Sequence, residues 1–111
     1  MDQEFDDLKR EFLAEAHTKI LEVSALASGL NDANRKTSLD RAGYLTHQLK
    51  GSGGSYGYQK ISAHAASIEK ELEAASGASV AEIKGRLEGC ISSLTREISE
   101  GLKTLGAPAA S

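Results

Sequence analysis

The sequence predicts an all-α protein, an antiparallel up-down-up-down four-helix bundle, and three observations lead to this prediction. Apolar residues recur at steps of three and four along four segments, which is the spacing of a helix that buries one face. Three short segments rich in glycine, asparagine and serine separate them. The single proline, Pro108, leaves long helices uninterrupted. Four amphipathic helices with short connections bury their apolar stripes most simply as such a bundle.

The first helix is predicted over residues 2–30. Acidic residues crowd its first turns, where the helix dipole favours negative charge. Turn-forming residues between Gly29 and Asn34 end it. Its predicted buried stripe consists of Phe5, Leu8, Phe12, Ala16, Ile20, Val23, Ala27 and Leu30.

The second helix is predicted over residues 38–53. Thr37 and Asp40 resemble a capping box at its start, with aspartate in place of the usual glutamate. The glycines at 53 and 54 are expected to end it, and a turn through Gly57 follows. Its predicted core face consists of Leu39, Ala42, Leu45, Thr46 and Leu49.

The third and fourth helices are predicted over residues 58–75 and 79–105. Ser76, Gly77 and Ala78 form the turn between them, and Ser79 with Glu82 forms a capping box for the fourth helix. The third helix carries its stripe at Ile61, Ala65, Ile68 and Leu72. The fourth carries it at Val80, Ile83, Leu87, Cys90, Leu94, Ile98 and Leu105, with Ile91 and Leu102 flanking.

Length and composition limit the possible functions. The 111 residues suffice for one domain, residues 1–111, with a single modest core. A net charge of −3 without a concentrated basic patch argues against nucleic-acid binding. No apolar run is long enough to span a bilayer and the acidic start is no secretion signal, so we expect a cytoplasmic protein. Cys90 is the only cysteine, which excludes an internal disulfide and a cysteine metal cluster. We expect a monomer without a metal site.

His47 is the candidate functional residue. At about 100° per residue it lies well away from the apolar arc of the second helix and therefore faces solvent. Gly43 and Gly51 lie one turn before and after it, and each costs about 0.5–1 kcal/mol relative to alanine in a helix. Such glycines leave bare backbone through which another protein can approach the imidazole. An imidazole is a usable nucleophile near neutral pH, and Lys50, at i+3, can offset the charge of a phosphoryl group on the ring.

The segment His47-Gln48-Leu49-Lys50-Gly51-Ser52, followed by Gly57 and Ile61, resembles the signature of the histidine-containing phosphotransfer (HPt) domain family. The resemblance is dense over residues 39–72 and extends as a helix pattern over nearly the whole chain. It implies a phosphorelay intermediate in two-component signalling. His47 would accept a phosphoryl group from an aspartyl phosphate on the receiver domain of a hybrid histidine kinase and pass it to a response-regulator aspartate. The chain would have no kinase activity and no cofactor of its own, because the receiver domain supplies Mg²⁺.

The resemblance also implies roles for neighbouring residues. Lys50 would neutralise the phosphate, and Glu69, on the third helix, would hold the imidazole by its other nitrogen. A solvated glutamate paired with a lysine is the alternative for Glu69. Ser52 is expected to bond the backbone near the helix end. The docking face and the access to His47 are assigned to Gly43, Tyr44, Gln48, Gly51, Ser52 and Gly57.

Two other functions remain open from the sequence. The chain could be a phospho-accepting module of a chemotaxis-type histidine kinase, which differs only in the phosphoryl donor. It could also be a helical adaptor in which His47 is never phosphorylated. An adaptor has no need of the two costly glycines beside His47, so the residues favour phosphotransfer.

Overall fold

Four α-helices make up the structure, a computed structural model that describes residues 2–106 and the side chains of 5–105. They are α1 (Asp2–Ser28), α2 (Arg35–Ser55), α3 (Gln59–Glu73) and α4 (Val80–Gly106), and the described residues contain no β-strand. Each helix packs against the next in the chain, and α1 also packs against α4. The predicted all-α fold with four helices is therefore confirmed, and the molecule is elongated, with extents of 50 × 24 × 18 Å.

Long-range hydrogen bonds show how the helices are joined. Near the start of α1, Arg10 Nη2 donates to the carbonyl oxygen of Leu105, close to the end of α4, at 3.0 Å. At the other end of α1, the carbonyl oxygen of Ser28 accepts from Lys84 Nζ, in the first turns of α4, at 3.1 Å. These contacts place α1 and α4 side by side along most of their length.

The core follows the predicted stripes with a few exceptions. Phe5 and Leu8 are 47% and 48% exposed, because they lie in the first turns of α1, where Phe5 stacks on Tyr56 at 6.4 Å and lies under the Lys9 ammonium at 4.7 Å. Leu13, outside the predicted stripe, is fully buried against Gly101 of α4, since α1 contacts two neighbours and buries a wider arc than one stripe. On α4, Ile91 is buried, while Cys90 is only half-buried.

The start of α2 differs from the prediction. Asn31 and Asn34 exchange hydrogen bonds, each backbone N–H donating to the other's Oδ1 at 2.8 and 2.9 Å. This closed turn allows the helix to begin at Arg35, so the capping box assigned to Thr37 and Asp40 is wrong. Asp40 instead accepts a hydrogen bond from Lys36 at 2.9 Å.

Two glycines determine how α2 ends. The helix runs to Ser55, two residues beyond the predicted end, and Gly57 has a φ of 83°, in the left-handed region. The Tyr58 N–H donates to the Gly53 carbonyl oxygen at 2.7 Å and the Gly57 N–H to that of Gly54 at 3.2 Å, which is a Schellman motif. A Cβ at Gly53 would lie only 3.1 Å from the backbone nitrogen of Ser62, so this glycine permits close packing of α2 on α3.

The other helix ends lie within two residues of their predicted positions. α1 ends at Ser28 and α3 at Glu73, each two residues early. The capping box of α4 is confirmed, because Ser79 Oγ accepts from the Glu82 N–H at 3.1 Å and Glu82 Oε1 accepts from the Ser79 N–H at 3.4 Å. Pro108, expected to follow the end of α4, lies outside the described residues. None of the described helices combines the length and hydropathy that crossing a bilayer requires.

Candidate functional site

His47 lies near the middle of α2, on the face opposite the core. Leu45 and Leu49, two residues to either side, are 2% and 1% exposed, whereas the side chain of His47 is 71% exposed. The helical period produces this alternation, because residues two apart differ by about 200° around the axis. The predicted solvent exposure of the imidazole is confirmed.

The backbone is open on both sides of the imidazole. A Cβ built at Gly43 or at Gly51 would have no heavy atom of the surrounding protein within 4 Å. Neither glycine is therefore required by packing, in contrast to Gly53 two residues further on. The helix backbone on both sides of His47 is therefore uncovered, as the spacing of Gly43 and Gly51 predicts.

Glu69 of α3 connects His47 and Lys50. Its Oε2 lies 2.8 Å from His47 Nδ1, and its Oε1 accepts a hydrogen bond from Lys50 Nζ at 2.8 Å. The carboxylate is 21% exposed, so it is largely shielded between α2 and α3. Both contacts considered for Glu69 from the sequence are present together: it meets the imidazole and it pairs with a lysine.

The three residues form one electrostatic unit. The hydrogen bond from Lys50, and after it that from His47, holds the pKa of the Glu69 carboxyl below its usual value of 4.5. The Lys50 pKa is raised above 10.5 by the same hydrogen bond and by the charges of Glu69 and Glu73. Glu69 is therefore ionised at neutral pH and accepts a hydrogen bond from each partner. A carboxylate only accepts, so the neutral ring carries its proton on Nδ1 and leaves the lone pair on Nε2.

The packing of α2 against α3 brings Glu69 to this position. Ser62 Oγ, on α3, donates to the Lys50 carbonyl oxygen of α2 at 2.8 Å. One turn along, Gly53 lets the backbone of α3 approach α2 closely. These two contacts hold α3 close to α2. At this separation Glu69 reaches both His47 and Lys50.

An open groove between α1 and α2 lies on the other side of His47. It has a volume of about 630 Å³. Its lining residues are Lys19, His47, Gln48, Gly51, Ser52, Ser55 and Tyr56. Lys19 is a residue that sequence reasoning missed. The helical period of α1 places it at the edge of the buried stripe, but only the packing of α1 on α2 shows that this edge meets His47.

Tyr44 and Gln48 extend the surface around His47. Gln48 Nε2 donates to the Tyr44 hydroxyl at 3.0 Å, and the Arg41 guanidinium lies 5.5 Å from the centre of the tyrosine ring. Tyr44 is 56% exposed. The pair borders the imidazole without bonding to it, and it adds an aromatic surface to the exposed face of α2.

Two of the predicted site residues have a different structural setting. Within the described residues the Ser52 hydroxyl forms no hydrogen bond, so the expected bond from Ser52 to the backbone is wrong, and Ser62 makes the equivalent bond. Ser52 does line the groove beside His47. Gly57 lies in the turn after α2, outside that groove, and its positive φ accounts for the glycine.

Replacement of Glu69 by glutamine tests the electrostatic unit. The lowered pKa of Glu69 means that its ionised form stabilises the fold above its ordinary value of 4.5, and this stabilisation is lost as the pH falls through the lowered value. Glutamine has nearly the same shape as glutamate but has no carboxyl group that titrates. We expect the free energy of unfolding, measured with urea, to differ most between wild type and variant at pH 7 and to converge as the pH falls below the lowered pKa of Glu69. Glu100→Gln, on the exposed surface of α4, is the matched control; a pH-independent difference for Glu69→Gln would contradict the assignment.

In the described part of the chain, histidine, cysteine, aspartate and glutamate side chains do not gather in any group of three or more that could hold a metal ion. The site instead offers one exposed nucleophilic nitrogen, a carboxylate behind the ring and two lysines nearby. This arrangement suits the transfer of an anionic group between proteins.

Comparison with known families agrees with this chemistry. The model of the Hpt domain family matches residues 7–100. Comparisons with curated proteins and with solved structures gave no match. Hpt domains are phosphocarriers in two-component signalling that interact with receiver domains, and they are not kinases. The chain belongs to the Hpt domain family.

Proposed function

We propose that His47 is the phosphorylated residue of a phosphorelay intermediate. Its donor is an aspartyl phosphate on the receiver domain of a hybrid histidine kinase, and its acceptor is the aspartate of a response regulator. The observation that carries the proposal is the 71% exposed imidazole whose Nδ1 faces Glu69 at 2.8 Å. This contact aims Nε2 away from the bundle, where the phosphorus of a docked receiver domain can reach it.

The transfer requires one bond to form and one to break. The Nε2 lone pair forms the P–N bond while the P–O bond to the donor aspartate breaks, and the carboxylate leaves with the electron pair. The ring keeps its proton on Nδ1 and becomes positively charged, and Glu69 stabilises this charge across the 2.8 Å contact. In the second transfer an oxygen of the acceptor aspartate attacks phosphorus, and Nε2 recovers its electron pair.

The chain contributes position and charge to this reaction. Mg²⁺ and the reacting aspartate belong to the receiver domain, so the bundle supplies a nucleophile held in one orientation. Glu69 is a positioning residue, because it contacts the ring nitrogen opposite the one that reacts. The exposed face of α2, with open backbone at Gly43 and Gly51, serves as the docking surface, together with Tyr44, Gln48 and Ser52 at its border.

The arrangement proposed for the helices is up-down-up-down. It is supported by the two hydrogen bonds that join opposite ends of α1 and α4 and by the ion pair between Glu22 of α1 and Arg41 of α2, at 2.7 Å. A cytoplasmic, monomeric protein, as the sequence predicts, is part of the same proposal.

Phosphoryl transfer from receiver domains tests the function. The purified chain is mixed with each ³²P-labelled, phosphorylated receiver domain of its source genome, and label in the chain is followed over seconds to minutes. We expect rapid labelling by at least one receiver domain, with a phosphate that is acid-labile and base-stable, and no labelling by ATP alone. Failure of every receiver domain to label the chain would contradict the proposal, and labelling by an ATP-dependent kinase domain instead would favour the chemotaxis-type alternative.

A further inference from the structure

We propose that Lys19 of α1 binds the phosphoryl group on His47 and is its principal counter-ion. This inference rests on the proposed function, because it concerns the phosphorylated form of the same site. It assigns the role to a lysine on a different helix from His47, whereas the sequence assigns it to Lys50.

Lys50 is already committed to another anion. Its Nζ donates to Glu69 Oε1 at 2.8 Å, and the other oxygen of the same carboxylate faces His47 Nδ1 at 2.8 Å. Lys50 therefore lies on the Nδ1 side of the ring, where its charge is compensated by Glu69. Moving it to a phosphoryl group would break a charge-assisted hydrogen bond and leave a largely shielded carboxylate without its lysine.

The reactive nitrogen lies on the other side of the ring. Nδ1 and Nε2 of an imidazole point in different directions, so the contact with α3 turns Nε2 away from Glu69. The groove between α1 and α2 opens beside His47 at this level, and Lys19 and Gln48 line it. A phosphoryl group on Nε2 enters the space that the ammonium group of Lys19 can reach.

Lys19 is available for this contact. Within the described side chains no carboxylate oxygen lies within 4.0 Å of its ammonium group. Of the carboxylates on the same side of α1, Glu22 is held by Arg41 at 2.7 Å, and Glu15 lines an adjoining groove with Ser52 and Tyr56. Lys19 is half-buried and lines the groove beside His47.

A cation beside the phosphoryl group leaves a measurable signature. In the pH range where phosphohistidine is stable, its titrating proton is on the imidazole ring, and a cation beside the phosphoryl group disfavours this protonated ring and so lowers its pKa. An exposed pair of this kind shifts a pKa by roughly 0.2–0.7 units. A purely structural role for Lys19 would leave this titration unchanged, because the phosphorylated ring would titrate next to the same charges.

The test uses the full chain phosphorylated by potassium phosphoramidate, which transfers its phosphoryl group to histidine and releases ammonia. The ³¹P resonance of phosphorylated His47 is identified by its absence from His47→Gln, since His17 and His64 can also react. It is then titrated in wild type, Lys19→Met, Lys19→Arg and Lys36→Met at 0.15 M salt. Lys36, an exposed lysine of α2, is the control. It lies 11 residues before His47, about 16 Å along the helix axis, which is beyond the screening length at this salt concentration.

We expect Lys19→Met to raise the pKa of phosphorylated His47 by roughly 0.2–0.7 units, while Lys19→Arg and Lys36→Met stay near the wild-type value. A Lys19→Met titration that coincides with wild type overturns the inference and leaves the proposed function intact, because phosphorylated His47 is still observed. Absence of any resonance that depends on His47 in the wild-type chain contradicts the proposed function itself and the inference with it.

Discussion

His47→Gln is expected to reduce labelling of the chain by a phosphorylated receiver domain to background and to leave the fold intact. Glutamine has no ring nitrogen with a lone pair to attack phosphorus, so no P–N bond can form. The side chain is 71% exposed, so its replacement removes little buried surface. The free energy of unfolding should change by less than about 0.5 kcal/mol, measured by urea denaturation, while the ³²P label disappears.

The other two histidines provide matched controls. His17 on α1 and His64 on α3 are both half-buried, and neither lines the groove beside His47. His17→Gln and His64→Gln are expected to accept the phosphoryl group at the wild-type rate. Base-stable label that persists in His47→Gln, or loss of label in either control, would show that His47 is not the phosphorylated residue.

Gly53→Leu is expected to destabilise the bundle by about 3 kcal/mol or more. A Cβ at this position would lie 3.1 Å from the Ser62 backbone nitrogen and 3.3 Å from Ile61 Cγ2, so a leucine side chain has no space between α2 and α3. The backbone of α3 has to move outward, which also separates Glu69 from His47. Urea unfolding should show a lower midpoint, and the ¹⁵N shift of His47 Nδ1 should report the lost contact.

Gly51→Leu is the matched variant, two residues away on the same helix. No heavy atom lies within 4 Å of a Cβ at Gly51, and leucine is favoured over glycine in a helix by about 0.5–1 kcal/mol. We therefore expect equal or greater stability, together with at least a tenfold slower transfer from a receiver domain, because the new side chain covers the approach to His47. Equal stability of the two variants would contradict the packing assigned to Gly53, and an unchanged transfer rate in Gly51→Leu would contradict the open docking surface.

Local patterns in the sequence predicted most of the secondary structure. The recurrence of apolar residues at steps of three and four positions predicted four helices. Every helix end except the start of α2 lies within two residues of its predicted position. The start of α2 was placed three residues late, because the bonds between Asn31 and Asn34 close the turn earlier than a capping box at Thr37 would. Reciprocal side-chain bonds of this kind depend on the path of the turn, which the residue types do not specify.

Burial was predicted less completely at the surfaces where helices meet. A stripe drawn along α1 assumes one partner, whereas α1 contacts both α2 and α4 and so buries Leu13 as well. Phe5 and Leu8 satisfy the same periodicity but lie in the first turns of α1, where less protein covers them. Periodicity gives the direction of a side chain and not the number of neighbours it meets.

The sequence by itself determined that His47 faces solvent and that Gly43 and Gly51 leave it uncovered, because the helical period relates residues within one helix regardless of its neighbours. Only the tertiary structure decided that Glu69 holds both His47 and Lys50, and that Lys19 borders the groove on the opposite side of the ring. These residues lie 22 and 28 positions from His47 in the chain. Their distances from the imidazole depend on how closely α1 and α3 pack on α2, and that spacing is set by contacts such as Gly53 against Ser62 that no pattern within one helix contains.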